Sequence, residues 1–193
     1  MVEVIFIAPP KTAGYTIGRC LKDAKSLKDG YGFNHEIARK IIKPEHFRPD
    51  IPIMCVVRNP YDRLYSIYEF YKKKGNDIPK TTTFKQFIMT FEKSFYLKGP
   101  QFNTCHDFVV DKDGKMLATD ILRFENLDSD YDVFCKKYKI KNNLIKRNVN
   151  ELKDENIDWK KLYDDDMKNV VEKIFKKDFE VFNYSYADFI NSK

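Results

Sequence analysis

Short apolar runs alternate along this chain with longer stretches whose apolar residues recur every three or four positions. Val2 to Ala8 is a compact apolar run closed by Pro9-Pro10, and "IMCVV" (Ile53 to Val57) and Ile121 to Phe124 are two more. Runs of that length bounded by turn residues predict buried strands. After the first run, Ile17, Cys20, Leu21 and Ala24 share a helical face, predicting a helix from Gly14 to about Ala24. "HEIARKII" predicts a short amphipathic helix with Ile37 and Ile41 inward. In "RNPYDRLYSIYEFYKKK", Asn59 suits a helix cap and Pro60 the first turn, with Leu64, Ile67, Tyr68 and Tyr71 as the stripe. "TFKQFIMTFEK" predicts a helix capped by Thr83, and "DSDYDVFCKKYKI" one with Tyr131, Phe134, Cys135 and Tyr138 inward. The last helical pattern, "DDDMKNVVEKIFKKDFEVF", groups Met167, Val170, Val171, Ile174 and Phe175, with its aspartates where the helix dipole favours them. "DFVVDKDGKMLATDILRF" predicts a hairpin around Asp113-Gly114 that runs into the third strand. Strands alternating with helices predict an α/β fold whose mainly parallel sheet is covered on both faces. Repeats and low-complexity linkers are absent, so residues 1–193 read as a single domain.

Composition changes this picture little. At 42% hydrophobic and 15% aromatic residues, the chain has enough apolar surface for a real core. A formal charge of +6 suits a polyanionic ligand such as a nucleotide or an acidic glycan, and equally a lysine-rich surface. The lysines are scattered, with only a short "YKKK" run, so nucleic acid is not an expected partner. Apolar runs fall short of the ~18 residues of a membrane-spanning helix. The first strand begins almost at Met1, which leaves no room for a signal peptide. A cytoplasmic or otherwise unanchored domain is expected, with a trimmed Golgi-type lumenal domain as the alternative. The four cysteines, Cys20, Cys55, Cys105 and Cys135, form no C-x-x-C pair and are expected to be free and buried. Neither cysteines nor histidines cluster at metal-ligand spacing, so no metal is called for.

Candidate chemistry concentrates at two places. In "PPKTAGYT" a strand, a turn and a helix meet; Gly14 is expected to make the tight turn, and the amides of Gly14, Tyr15 and Thr16 open the helix. Unpaired amides there attract anions. Lys11 adds positive charge, and Thr12 and Thr16 add hydroxyl donors. The G-x-x-x-x-G-K-[ST] run of a triphosphate loop is missing. In "VVRNPYDRLYS", Arg58 follows the second strand and Ser66 lies two helical turns on. Ligands of open parallel sheets bind beyond the carboxyl ends of the strands, which puts both motifs on one edge. Arg58 is equipped to grip a phosphate through parallel donors, or to pair with Asp62. Two phosphate sites on one edge point to a nucleotide with phosphates at both ends.

In sequence order, "PKTAGYTI", "NHEIARKI", "VVRNPYDRLYSIY", "DKDG" and "LRFENLDSDYDVFCKKYKI" resemble motifs of the carbohydrate sulfotransferases that use 3′-phosphoadenosine-5′-phosphosulfate (PAPS). The heparan and chondroitin enzymes and their bacterial and viral relatives are the group meant, and the resemblance runs from Val4 to about Phe182. It implies a P-loop-like three-layer α/β sandwich. It also implies a 5′-phosphosulfate loop over Lys11, Thr12, Ala13, Gly14, Tyr15 and Thr16, 3′-phosphate contacts from Arg58 and Ser66, and structural roles for Arg123 and Glu125. His35 matches the family's catalytic-histidine segment; its ordinary pKa of about 6.5 suits a general base, and a helix-cap role is the alternative. Glu36 is the fallback base. His46 reads as structural or surface, and His106, at the start of a hairpin strand, as a candidate for the acceptor groove.

The implied reaction is in-line attack of an acceptor hydroxyl, on a glycan or glycolipid, at the sulfur of PAPS, with Lys11 stabilising the departing 5′-phosphate and no metal required. Two departures stand out. "LIKRNVNELKDEN" lacks the glycine of the family's adenine-closing loop, leaving Lys146, Arg147 and Lys153 to supply charge there. Tyr15 replaces a small hydroxyl residue. The competing readings are a P-loop-like nucleotide or small-molecule kinase, and a non-catalytic module binding nucleotide or glycan.

Overall fold

A computed structural model describes residues 3–21, 25–26, 51–74, 78–90, 102–142, 144 and 158–192. The chain divides into two compact units, one of Met1–Arg58 with Cys105–Arg147 and the other of Asn59–Thr104 with Asn148–Lys193.

The first unit is built on a parallel sheet. Its strands are β1 (Glu3–Ile7), β2 (Lys25–Ser26), β3 (Ile53–Val57) and β4 (Asp120–Arg123), in the order β2-β1-β3-β4. Ile7 pairs with Cys55 and Val57 with Arg123, so β1, β3 and β4 run out of the sheet on the same edge. Every residue of β3 is buried, as expected of a central strand covered on both faces. On one face Val4, Met54, Val56 and Leu122 pack with Ile17, Cys20 and Leu21 of α1 (Gly14–Cys20) and its following turn. Tyr131, Phe134 and Cys135 of α5 (Leu127–Tyr138) join the same cluster. Helix α1 stops at Cys20, short of the expected Ala24, where the Leu21 amide closes onto the Ile17 carbonyl. All four cysteines are free and buried.

The expected hairpin is largely replaced. Cys105–Val109 forms a short helix, α4, burying Cys105, Phe108 and Val109 at helical rather than alternating spacing. Only one antiparallel bridge, Val110 with Met116, closes the turn, in which Asp111 Oδ1 accepts from the amides of Asp113 and Lys115 and Gly114 takes a φ of 80°. The apolar run misled because strand and helix both bury such a short segment.

The second unit is helical. In α2 (Pro60–Lys74), Asn59 Oδ1 accepts the Tyr61 amide at 3.1 Å, and Leu64, Ile67, Tyr68 and Tyr71 are buried. Helix α3 (Phe84–Thr90) starts with a reciprocal capping box. Thr83 Oγ1 accepts from the Gln86 amide, and Gln86 Oε1 accepts from the Thr83 amide. The expected last helix is two, α6 (Asp165–Ile174), capped by Asp164, and α7 (Lys176–Phe182), broken at Phe175. A further helix, α8 (Tyr186–Asn191), is capped by Ser185. Among the described residues no helix is long and apolar enough to cross a membrane.

Candidate active site

The turn after β1 owes its shape to its backbone. Lys11 has a φ of 66° and Ala13 one of 61°, both left-handed, while Thr12 between them is not. Left-handed residues are one ingredient of the backbone concavities that bind anions. Left-handed residues other than glycine are costly, of order 1–3 kcal/mol where surrounding contacts must hold them. Thr12 supplies one such contact: its buried hydroxyl donates to the Pro9 carbonyl at 2.7 Å. The Thr12 proton is therefore engaged inside the turn. Ala13 caps α1 with its carbonyl, which accepts the Ile17 amide at 3.1 Å, but offers the first-turn amides no side-chain acceptor.

Gly14 plays a different part from the one expected. It is the first residue of α1 and is not left-handed. A Cβ there would stand 3.0 Å from the Ala8 Cβ, a tight contact, so glycine eases the close approach of the helix to the end of β1. The sharp turning falls on Lys11 and Ala13. Tyr15 projects outward, 55% exposed, and its hydroxyl accepts from Arg19 Nη1 at 3.1 Å. Thr16 is half-buried one position on.

Arg58, the residue after β3, meets this turn. It is only 5% exposed, and its Nη1 donates to the Lys11 carbonyl at 2.9 Å. Its guanidinium carbon lies 4.0 Å from the ring centroid of Phe124, the residue after β4. The structure thus brings Lys11 and Arg58 together at adjacent strand ends. From sequence Phe124 was only the end of the third strand, with no site role; the structure ends that strand at Arg123 and puts Phe124 just beyond it. Arg123 ends β4, and its amide donates to the Asp130 carboxylate at 2.8 Å, while Glu125 is exposed in the following 3-10 turn, Phe124–Asn126.

Ser66 lies in the second turn of α2 and is half-buried. His106 sits on α4 and not on a hairpin strand, also half-buried. His35, Glu36, His46, Lys146, Arg147 and Lys153 lie outside the described residues.

The other end of β4 carries a structural cluster. Asp120 accepts from Lys137 Nζ, the Tyr138 hydroxyl and the Thr119 hydroxyl, each at 2.7 Å. Burial works against charge on Asp120, but these three donors outweigh it and hold the carboxyl below its ordinary range. Lys137 is raised in turn, chiefly by its bond to Asp120. Thr119 Oγ1 also accepts the Ile53 amide, so the cluster pins the start of β4 to β3.

The sulfotransferase domain family matches residues 34–168, well over half of the chain. With its parallel sheet and the charged strand ends described above, the chain belongs to that family, and its fold is the family's P-loop-like α/β sandwich. The match runs through both compact units and begins after the Lys11 turn. The comparison with curated proteins gave no match.

Proposed function

We propose that this sulfotransferase takes its sulfuryl group from PAPS and delivers it to a carbohydrate hydroxyl. The observation that carries the donor reading is the approach of Arg58 to the left-handed Lys11 turn, 2.9 Å from guanidinium to carbonyl. It brings the lysine turn and a guanidinium to one sheet edge, which supports a ligand such as a nucleotide with charged groups at both ends. In this reading the backbone of Lys11 to Thr16 faces the 5′-phosphosulfate, with Thr12 shaping the turn from inside. Arg58 and Ser66 take the 3′-phosphate, the role the family resemblance assigns them. The family match through both units supports treating residues 1–193 as one functional domain.

The donor supplies a sulfuryl group bonded to a good leaving group, the 5′-phosphate. The acceptor oxygen forms its bond to sulfur as the bond from sulfur to the bridging oxygen breaks. His35 accepts the proton of the acceptor hydroxyl, and Lys11 neutralises the charge arriving on the leaving phosphate. Positioning and electrostatics then supply the rate, as in phosphoryl transfer. The acceptor belongs to the glycan or glycolipid class that the motif resemblance implies.

Titration with 3′-phosphoadenosine-5′-phosphate and with ATP tests the donor: the first should bind more tightly, and binding of ATP alone would sink the reading. A sulfate-transfer assay over a panel of glycan and non-glycan acceptors tests the second half. His35→Ala should lower transfer by about 10²- to 10⁴-fold. Unchanged transfer would remove His35 as the base.

A further inference from the structure

We infer that Phe124 and Arg58 form a brace that holds the Lys11 turn in its anion-binding shape, with Phe124 as a positioning residue for the donor site. The inference rests on the donor reading above for its functional consequence, but its structural half stands without it.

The three strands β1, β3 and β4 are neighbours that end on the same edge, and each is followed by one member of the chain of contacts. Phe124 follows β4 and presents its ring to the Arg58 guanidinium at 4.0 Å. Arg58 follows β3 and donates to the Lys11 carbonyl at 2.9 Å. Lys11, in the turn after β1, sits at a φ of 66° that a lysine does not adopt without support. A carbonyl gripped by a buried guanidinium fixes the peptide plane that follows Lys11, and hence where the Thr12 amide points. A guanidinium lying on an aromatic face loses the freedom to swing away. An arginine that only served a 3′-phosphate would need neither the ring beneath it nor the bond to the turn. On the donor reading, the side chain assigned to the 3′ end thus also sets the backbone geometry at the 5′ end.

The test uses Phe124→Leu, Phe124→Tyr and Arg58→Lys in the full chain. Amide hydrogen exchange is measured without ligand, and binding is measured with two probes: 3′-phosphoadenosine-5′-phosphate, and adenosine 5′-phosphosulfate, which has no 3′-phosphate. Phe124→Leu and Arg58→Lys should each raise exchange across residues 11–16 by about tenfold and leave α2 unaltered, while Phe124→Tyr, which keeps the ring, should match the wild type. Both disruptive variants should weaken adenosine 5′-phosphosulfate about fivefold or more, although that ligand offers Arg58 no 3′-phosphate. Unchanged exchange over residues 11–16 overturns the brace, whatever the nucleotides do. Altered exchange with unchanged adenosine 5′-phosphosulfate binding overturns its role in positioning the donor. A wild type that binds neither probe removes the donor reading instead, and the brace is then decided by exchange alone.

Discussion

The two compact units pack by different means. The first stacks mainly aliphatic side chains, Val4, Ile17, Leu21, Met54, Val56 and Leu122, on a parallel sheet, joined by Tyr131 and Phe134 of α5. The second is held by rings: Tyr61 lies 5.0 Å from Tyr163 and 5.3 Å from Phe189, and Tyr65 stacks on Trp159 at 4.9 Å. Its tyrosines also hydrogen-bond inward, Tyr163 to the Tyr61 carbonyl and Tyr68 to the Thr82 carbonyl. Even its buried Arg63 donates to a backbone acceptor, the Asn103 carbonyl at 2.9 Å. Of the left-handed non-glycine residues among those described, Lys139 and Asn183 end helices, whereas Lys11 and Ala13 form the turn that leads into α1 in the first unit. Strain at a charged turn is a signature of function, whereas saturated aromatic packing is one of stability. Substitutions in the aromatic unit should therefore move unfolding, and those in the Lys11 turn should move chemistry.

The largest expected effect is in the aromatic unit. Phe87, 1% exposed and 5.5 Å from the Tyr68 ring, leaves a cavity when shortened, so Phe87→Ala should cost about 3–5 kcal/mol in urea unfolding. A cost near zero would break the contrast from that side. Lys11→Ala should lower sulfuryl transfer by about 10²- to 10³-fold, by analogy with loss of a charge-stabilising donor. Its thermal midpoint should stay close to the wild type, and a drop in both together would make the turn a folding element. Gly14→Ala lies where the two effects meet. With a Cβ 3.0 Å from the Ala8 Cβ, overpacking should cost about 1–3 kcal/mol and displace the turn, so activity and stability fall together.

The smallest effect concerns pH. The Asp120 carboxyl is lowered in the folded chain, so its contribution is complete above the unfolded value of about 3.9 and is lost as pH falls through the lower folded value. Lys137, raised by the same pair, contributes fully below about 10.4 and loses that as pH rises through its higher folded value. Asp120→Asn should cost about 1 kcal/mol near neutrality and flatten the acid limb of a stability-versus-pH curve. An acid limb identical to the wild type would show that the cluster does not titrate with folding.

Elements whose information is local were legible in the sequence. The strand Ile53–Val57 has the expected boundaries, and the Asn59 cap, Pro60 start and apolar stripe of α2 follow from residue types at fixed spacing. The run "DFVV" was not legible, because three apolar residues satisfy a strand and a helical turn equally, and helix α4 takes the segment up to Val109. The sharp bending at Lys11 was invisible because propensity assigns left-handed backbone to glycine, and Gly14 stood conspicuously nearby. The Arg58 bond that helps hold Lys11 there comes from a residue distant in sequence.

By itself the sequence determined that strands alternate with helices, that a charged turn follows the first strand, and that an arginine follows the central one. Those features depend on neighbours a few positions apart. Tertiary structure alone decided that Arg58 grips the Lys11 carbonyl across 47 positions, and that Phe124 lies against the guanidinium. The same holds for Gly14, whose missing Cβ faces Ala8 closely. The physical reason is that strand order and register set which strand ends become neighbours. Only then do a carbonyl, a guanidinium and a ring come within reach of one another.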